Sequence, residues 1–277
     1  MSGQWFDHKT VIITGASSGI GKGIAKRLLS EHGCNVIGIG RNEEKMRSLI
    51  SELGSKAEKF SYRLFDVSVR ENWKRFSNEL KETDTKPDIL INNAGILPKF
   101  ERFLNHPVEE VENIMQTNYF ASVYSMHYLL PEILKSPDAA LINVASCAAL
   151  CSFAGSSAYS ASKMALKSLT ESVREELRGK CYVGLVCPGM TTTEIYIYQG
   201  NSHHELSEKG LRLIGCSTDK MVDKIMNGMS RKKEDMVYGF DSRLMNDVSR
   251  LSRVGSSRFC TGIVRTSKLE MFRDIFQ

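Results

Sequence analysis

The sequence predicts an α/β fold: a single domain built on a doubly wound parallel sheet with helices on both faces. Three observations predict it. Six short apolar runs alternate with stretches of helix length, as parallel strands joined by helical crossovers do. No proline-rich linker, internal repeat or low-complexity tract divides the 277 residues. The residues just after the runs are small or polar, which suits the ligand crevice that such a sheet leaves beyond the carboxyl ends of its strands.

The first run, Thr10–Thr14, leads into TGASSGIG, residues 14–21, and then into a helical pattern carried by Ile20, Ile24, Ala25, Leu28 and Leu29. Glycine admits positive φ and lets a ligand approach the backbone without a Cβ in the way. The N–H groups that open a helix attract a pyrophosphate. The spacing Gly15-x-x-x-Gly19-x-Gly21 differs from the common G-x-G-x-x-G, so a plain tight turn is the alternative. The second run, Asn35–Gly40, ends at Arg41 instead of a carboxylate. A carboxylate there accepts from a ribose 2′-hydroxyl, whereas a cation suits a 2′-phosphate; a helix-start arginine with no ligand is the plainer reading. The third run, Lys59–Asp66, ends at Asp66-Val67, and the fourth, Asp88–Asn92, runs into Asn92-Asn93-Ala94-Gly95.

One long helix is predicted over Val108–Leu134, with Asn118 in mid-pattern. A polar side chain of low helix propensity there reads as functional or as an ordinary exposed position. The fifth run, Ala139–Ala145, ends at Ser146, thirteen residues before Tyr159. Tyr159 and Lys163, four apart in SAYSASK, share one helix face. A phenol ionises near 10, which suits proton transfer poorly at neutral pH, and a neighbouring ammonium lowers that value. The sixth run, Tyr182–Cys187, precedes Pro188-Gly189, and a further helix is predicted over Thr218–Met229.

Between them, residues 190–216 are polar and read as a substrate lid, His203-His204 included as solvated loop. From Asp241 to Gln277 seven basic residues stand against four acidic ones, with apolar residues interspersed. That extension reads as a pocket-covering or subunit-contacting tail, or as an amphipathic surface for an anionic membrane. The net charge of +5 comes from 37 basic and 32 acidic residues without a basic run, so no nucleic-acid partner is expected. Seven cysteines lack C-x-x-C or zinc spacing, which predicts free thiols in a reducing compartment and no metal. The first strand begins by Thr10, leaving no room for a signal peptide, and no apolar stretch is long enough to span a bilayer. A cytoplasmic location is the expectation.

Together these motifs resemble the short-chain dehydrogenase/reductase family, in its compact single-domain branch with a Rossmann-type sheet. The resemblance covers residues 10 to about 193: Thr14-Gly15-x-x-x-Gly19-x-Gly21, Asn92-Asn93-Ala94-Gly95, Asn118, Ser146, Tyr159-x-x-x-Lys163 and Pro188-Gly189. It implies hydride transfer between a nicotinamide and a carbonyl or alcohol carbon. Tyr159 would be proton donor or acceptor, Ser146 would position the substrate oxygen, Lys163 would bind the nicotinamide ribose and tune the tyrosine, and Asn118 would hold a relay water. Cofactor contacts are expected from Gly15, Ser17, Ser18, Gly19, Ile20, Gly21, Arg41, Asp66, Val67, Asn93, Ala94, Gly95, Tyr159, Lys163, Pro188, Gly189, Thr191 and Thr193. Arg41 favours NADP(H).

Substrate contacts are expected from Ser146, Ala148, Phe153, Tyr159, Met190 and Tyr196, with Leu97, Leu150 and Ile195 beside them. This largely apolar set fits a hydrophobic, steroid- or lipid-like ketone or secondary alcohol. A 3-oxoacyl-thioester or a small dicarbonyl is the alternative, and an NADPH-sensing regulatory protein is the reading from another class. A sensor would not need all four of Asn118, Ser146, Tyr159 and Lys163. The resemblance also implies a homodimer or homotetramer built on the helices bearing Asn118 and Tyr159.

Overall fold

The computed structural model describes residues 4–195, 215–267 and 269–276, without the side chains of Arg253 and Glu270. Six parallel strands follow the sequence in turn: β1 Thr10–Thr14, β2 Asn35–Gly40, β3 Phe60–Leu64, β4 Ile89–Asn92, β5 Ala140–Val144 and β6 Tyr182–Pro188. Two residues each make the small parallel pair β7 Thr191–Thr192 and β8 Cys216–Ser217, and β9 Asp235–Tyr238 completes the main sheet. The sheet order is β3-β2-β1-β4-β5-β6-β9, all parallel. The order therefore reverses between β1 and β4, and a crevice opens there at their carboxyl ends.

Alternation within each strand divides the core. Val11, Ile13, Ile89, Ile91, Ala140 and Ile142 face one layer, formed by α1 Gly19–Glu31, α2 Glu43–Leu53 and the later helix α7 Thr218–Ser230. Ile12, Leu90 and Leu141 face the other, where α3 Arg70–Glu82 brings Trp73, Phe76 and Leu80. Strands covered on both faces read as continuous apolar runs, which is why the sequence exposes them so plainly.

Three expectations change. The helix predicted over Val108–Leu134 is α4 Val108–Met115, a π-helical turn at Gln116–Phe120, and α5 Ala121–Ile133. Asn118 lies in that turn and is fully buried, so it is not an exposed helix position. The strand predicted over Lys59–Asp66 is shorter because Gly54–Lys59 is a 3-10 turn and Asp66 is held in a turn of its own by Ser68. β9 was not expected: its four residues begin with an exposed acid after a charged turn and give no periodic signal.

The catalytic candidates ride on α6 Ser157–Glu176. The chain then ends in α8 Phe240–Leu251, α9 Arg253–Thr266 and a 3-10 turn at Glu270–Ile275.

Candidate active site

A cleft of about 270 Å³ lies at the carboxyl ends of β1, β2, β4 and β5. Its floor is the glycine turn. Gly15 (φ 68°) and Gly19 (φ 51°) occupy the left-handed region that side chains avoid. A Cβ on Gly21 would collide with Gly15 O, so this third glycine serves close packing within the turn. Thr14 Oγ1 accepts from the N–H groups of Asn93 and Ala94, both at 2.9 Å, and Asn93 Nδ2 donates to Thr14 O at 3.0 Å. The turn after β1 is thereby fastened to the loop after β4, across the switch point.

Arg41 and Lys45 stand together at the far end. Asn42 caps α2 by accepting from Lys45 N at 2.9 Å, and this turns both cations toward the same mouth. Among the described residues Arg41 makes only a long contact with Asp66, 3.4 Å, and its side chain is 65% exposed, which leaves the fork open to a ligand. Burial alone would raise the Asp66 pKa; hydrogen bonds from Ser68 and the Arg41 charge outweigh it and pull it below the usual carboxylate range. Lys45 pairs with Glu194, which lines the same mouth. The sequence reading missed Lys45 and Glu194. Position 45, four residues after Arg41, was the available signal for the lysine.

Ser146, Tyr159 and Lys163 meet at the other end of the cleft. The Tyr159 phenol lies beside the Ser146 hydroxyl. Burial pushes its pKa up, the nearby Ser146 hydroxyl opposing, so the expectation that Lys163 lowers it does not hold in this form of the site. The reason is geometric: Lys163 Nζ lies 5.9 Å from the ring centroid and donates to Val144 O at 3.3 Å. Burial drives the Lys163 pKa down to about 8. Cys147, beside Ser146, is pushed up to about 12 by burial and stays a thiol, no rival nucleophile.

Asn118 does not line the cleft, although its neighbour Thr117 does. Its Oδ1 accepts from Ile96 N at 2.7 Å, and its Nδ2 donates to Ile96 O at 2.9 Å and Ser162 Oγ at 3.1 Å. The side-chain amide is thus committed to protein partners, and it braces the Gly95–Ile96 backbone. A Cβ on Gly95 would come within 3.1 Å of both Asn118 Oδ1 and Lys163 Nζ, so glycine is what lets these groups converge.

Two features fit a dinucleotide. The N-terminus of α1 has no side-chain cap at Ser18 and opens into the cleft. Lys163 is 3% exposed, yet among the described residues its hydrogen bond goes to a single backbone carbonyl, which leaves donors for a polar ligand. Ser17, Ser18, Ile20, Val67, Pro188, Gly189, Thr191 and Thr193 line the cleft as the sequence reading placed them.

The expected substrate residues divide. Tyr159, Ala148, Leu97, Phe153 and Ile195 share one apolar cluster with Phe100, Phe272 and Ile275. Leu150 joins a neighbouring cluster around Ala149 and Leu166 instead. Met190 is held by its N–H, which donates to Asp241 Oδ2 at 2.6 Å. Asp241 also packs on Gly189 too tightly for any side chain there, a role that sequence spacing could not reveal. Tyr196, His203 and His204, with most of the expected lid, lie outside the described residues.

Comparison with known proteins agrees with this architecture. The family model for short chain dehydrogenases matches residues 9–203. Serine 3-dehydrogenase of Rhizobium radiobacter is 32% identical over 200 residues, 72% of this chain and 78% of its own. NADPH-dependent pterin aldehyde reductase of Arabidopsis thaliana is 30% identical over 187 residues, 68% of this chain and 76% of its own. A short-chain dehydrogenase from Sphingobium yanoikuyae, solved in complex with NADPH, shares the fold with a TM-score of 0.74 at 24% identity, over 95% of this chain and 96% of that one. By the match across most of its length and by its relatives, the chain belongs to the short-chain dehydrogenase family.

Proposed function

We propose that the protein is an NADP(H)-dependent oxidoreductase that interconverts hydrophobic ketones and secondary alcohols. One observation carries the reading: Tyr159, beside Ser146 and Lys163 in the cleft, is also a member of an apolar cluster. Arg41 and Lys45 at the opposite end give the 2′-phosphate a cationic seat that a carboxylate would refuse. Two of the relatives carry the names of different substrates, serine and a pterin aldehyde, so the substrate class rests on the pocket. Leu97 and Ile195 in the cleft, backed by the apolar cluster that contains Phe100, Phe153 and Phe272, favour a steroid- or lipid-like molecule over a zwitterion, whose charges would lose their hydration there.

A nicotinamide bound in the cleft would supply hydride to the carbonyl carbon, or accept it in the reverse direction. Ser146 and Tyr159 hold the substrate oxygen between two hydroxyls. With its pKa raised by burial, Tyr159 is protonated at neutral pH and donates its proton to the oxygen as negative charge develops there. Lys163, 5.9 Å from the Tyr159 ring centroid, would hold the ribose hydroxyls of the cofactor through the protons that Val144 does not use. Asn118 positions both groups through Ile96 and Gly95. A small-molecule substrate and a homo-oligomer joined through α4, α5 and α6 belong to the same reading.

The test is NADPH oxidation against apolar ketones, with small dicarbonyls and acyl thioesters in parallel. Tyr159→Phe should lower turnover by roughly 10²–10⁴-fold while NADPH affinity changes little. Unchanged turnover would remove the phenol from proton transfer.

A further inference from the structure

Helix α9 has two unlike faces. On the inner face Ser256 and Cys260 are buried, Val264 joins the apolar cluster that contains Tyr159, and Thr261 Oγ1 accepts from Ala154 N at 3.0 Å. The outer face leaves large apolar side chains in water: Val254 is 68% exposed, Phe259 46% and Ile263 43%, with Leu251 85% exposed at the turn before them. A single exposed leucine is ordinary; here Phe259 and Ile263, four apart, share one side of the exposed face, and Val254 and Leu251 stand exposed at the turn before them.

Charge specifies what covers it. Residues 248–269 include Arg250, Arg253, Arg258, Arg265 and Lys268 and no acidic residue. Arg250, Arg258 and Arg265 are exposed beside the apolar side chains. A two-fold contact with a second copy would set this cationic face against itself, and the like charges would repel. Anionic lipid headgroups offer the opposite sign, while the interfacial region beneath them accepts Phe259 and Ile263. No helix among the described residues is long and apolar enough to cross a membrane, so attachment through this face is peripheral. In the terminal segment beyond α9, Phe272 and Ile275 are buried, while Phe276 lies under the Arg265 guanidinium, 4.9 Å from its ring centroid.

We propose that the outer face of α9 docks the protein on an anionic membrane surface. Docked in this way, α9 stands between the lipid and the apolar cluster around Tyr159, a short path for a substrate dissolved in the bilayer. The docking itself does not rest on the proposed activity and is measured without it.

The full chain is sedimented with phosphatidylcholine vesicles with and without about one-third phosphatidylserine. It should bind the anionic vesicles at least ~10-fold more strongly, and salt should weaken that binding. Phe259→Ser/Ile263→Ser and, separately, Arg250→Gln/Arg258→Gln should each reduce it by about 10-fold, with the variants still folded and NADPH binding unchanged. Equal binding to both vesicles, no binding to either, or full binding by the serine variant overturns the proposal. So does a fall in solution mass, by light scattering, in the serine variant, since the patch would then be covered by a second copy.

Discussion

Lys163 places an ammonium where, among the described residues, only a backbone carbonyl receives it, and the consequence is measurable. Burial lowers its pKa from 10.5 to about 8. Between those values the unfolded chain holds a proton that the folded chain has released, so this residue makes stability rise with pH across the window. Below about 8 both states are charged and the full penalty applies, on the order of 3 kcal/mol. Tyr159 and the buried cysteines oppose the trend, because their folded pKa values are raised and their contribution falls as pH rises. The readout is therefore a difference: Lys163→Met should exceed the wild type in unfolding free energy at pH 7, by up to about 3 kcal/mol, with the gap closing toward pH 10.5. A gap independent of pH would mean that the ammonium is not desolvated. Tyr159 and Lys163 were legible in the sequence because a four-residue spacing is a local property of a helix. The commitments of Asn118 to Ile96 and of Asp241 to Gly189 were not, since each joins segments far apart in the chain.

The elements that the sequence revealed are those whose signal is continuous. Strands covered on both faces give unbroken apolar runs, and five of the six expected strands agree with the structure to within a residue or so at each end. The π-helical turn could not be read that way. It interrupts a helix whose periodicity continues through it, and its cause is the side chain of Asn118 reaching across to Ile96. The start of α2 has a clear local cause and a functional consequence. Asn42 fixes where the helix begins, so the cation before the cap and the one in the first turn face one mouth. Reversing the first should reverse cofactor preference: Arg41→Asp is expected to weaken NADPH binding by about 10–100-fold, the equivalent of one or two charge-assisted hydrogen bonds, and to spare NADH. Titration of both cofactors by protein fluorescence decides it, and equal losses would take the phosphate role away from Arg41.

At the scale of the whole molecule, the C-terminal segment ties the far end of the chain to the reaction end of the cleft. Lys99 pairs with Asp274 at 2.5 Å, and Arg102 Nε donates to Ile275 O at 3.0 Å. Just before these ties Phe272 packs at a tilt against Phe100, centroids 5.0 Å apart, and meets Phe153 edge-on at 5.9 Å. Ile275 lies against Gly155, whose φ of 86° and lack of a side chain leave room for it. The segment thus supplies part of the apolar cluster that forms a wall behind Tyr159, while none of its described residues lines the cleft. Phe272→Ala should open a void in that wall and destabilise the protein by about 3 kcal/mol, as truncation of a buried aromatic does. For a bulky apolar ketone, kcat/KM should fall roughly 10-fold, the equivalent of about 1.4 kcal/mol of lost transition-state contact, while a two-carbon-side-chain ketone is reduced as before and NADPH affinity is retained. The contrast between large and small substrates is the deciding measurement. Parallel losses for both, or a matching loss of NADPH affinity, would make the segment a brace for the fold and leave the substrate wall to the loops around Leu97 and Phe153.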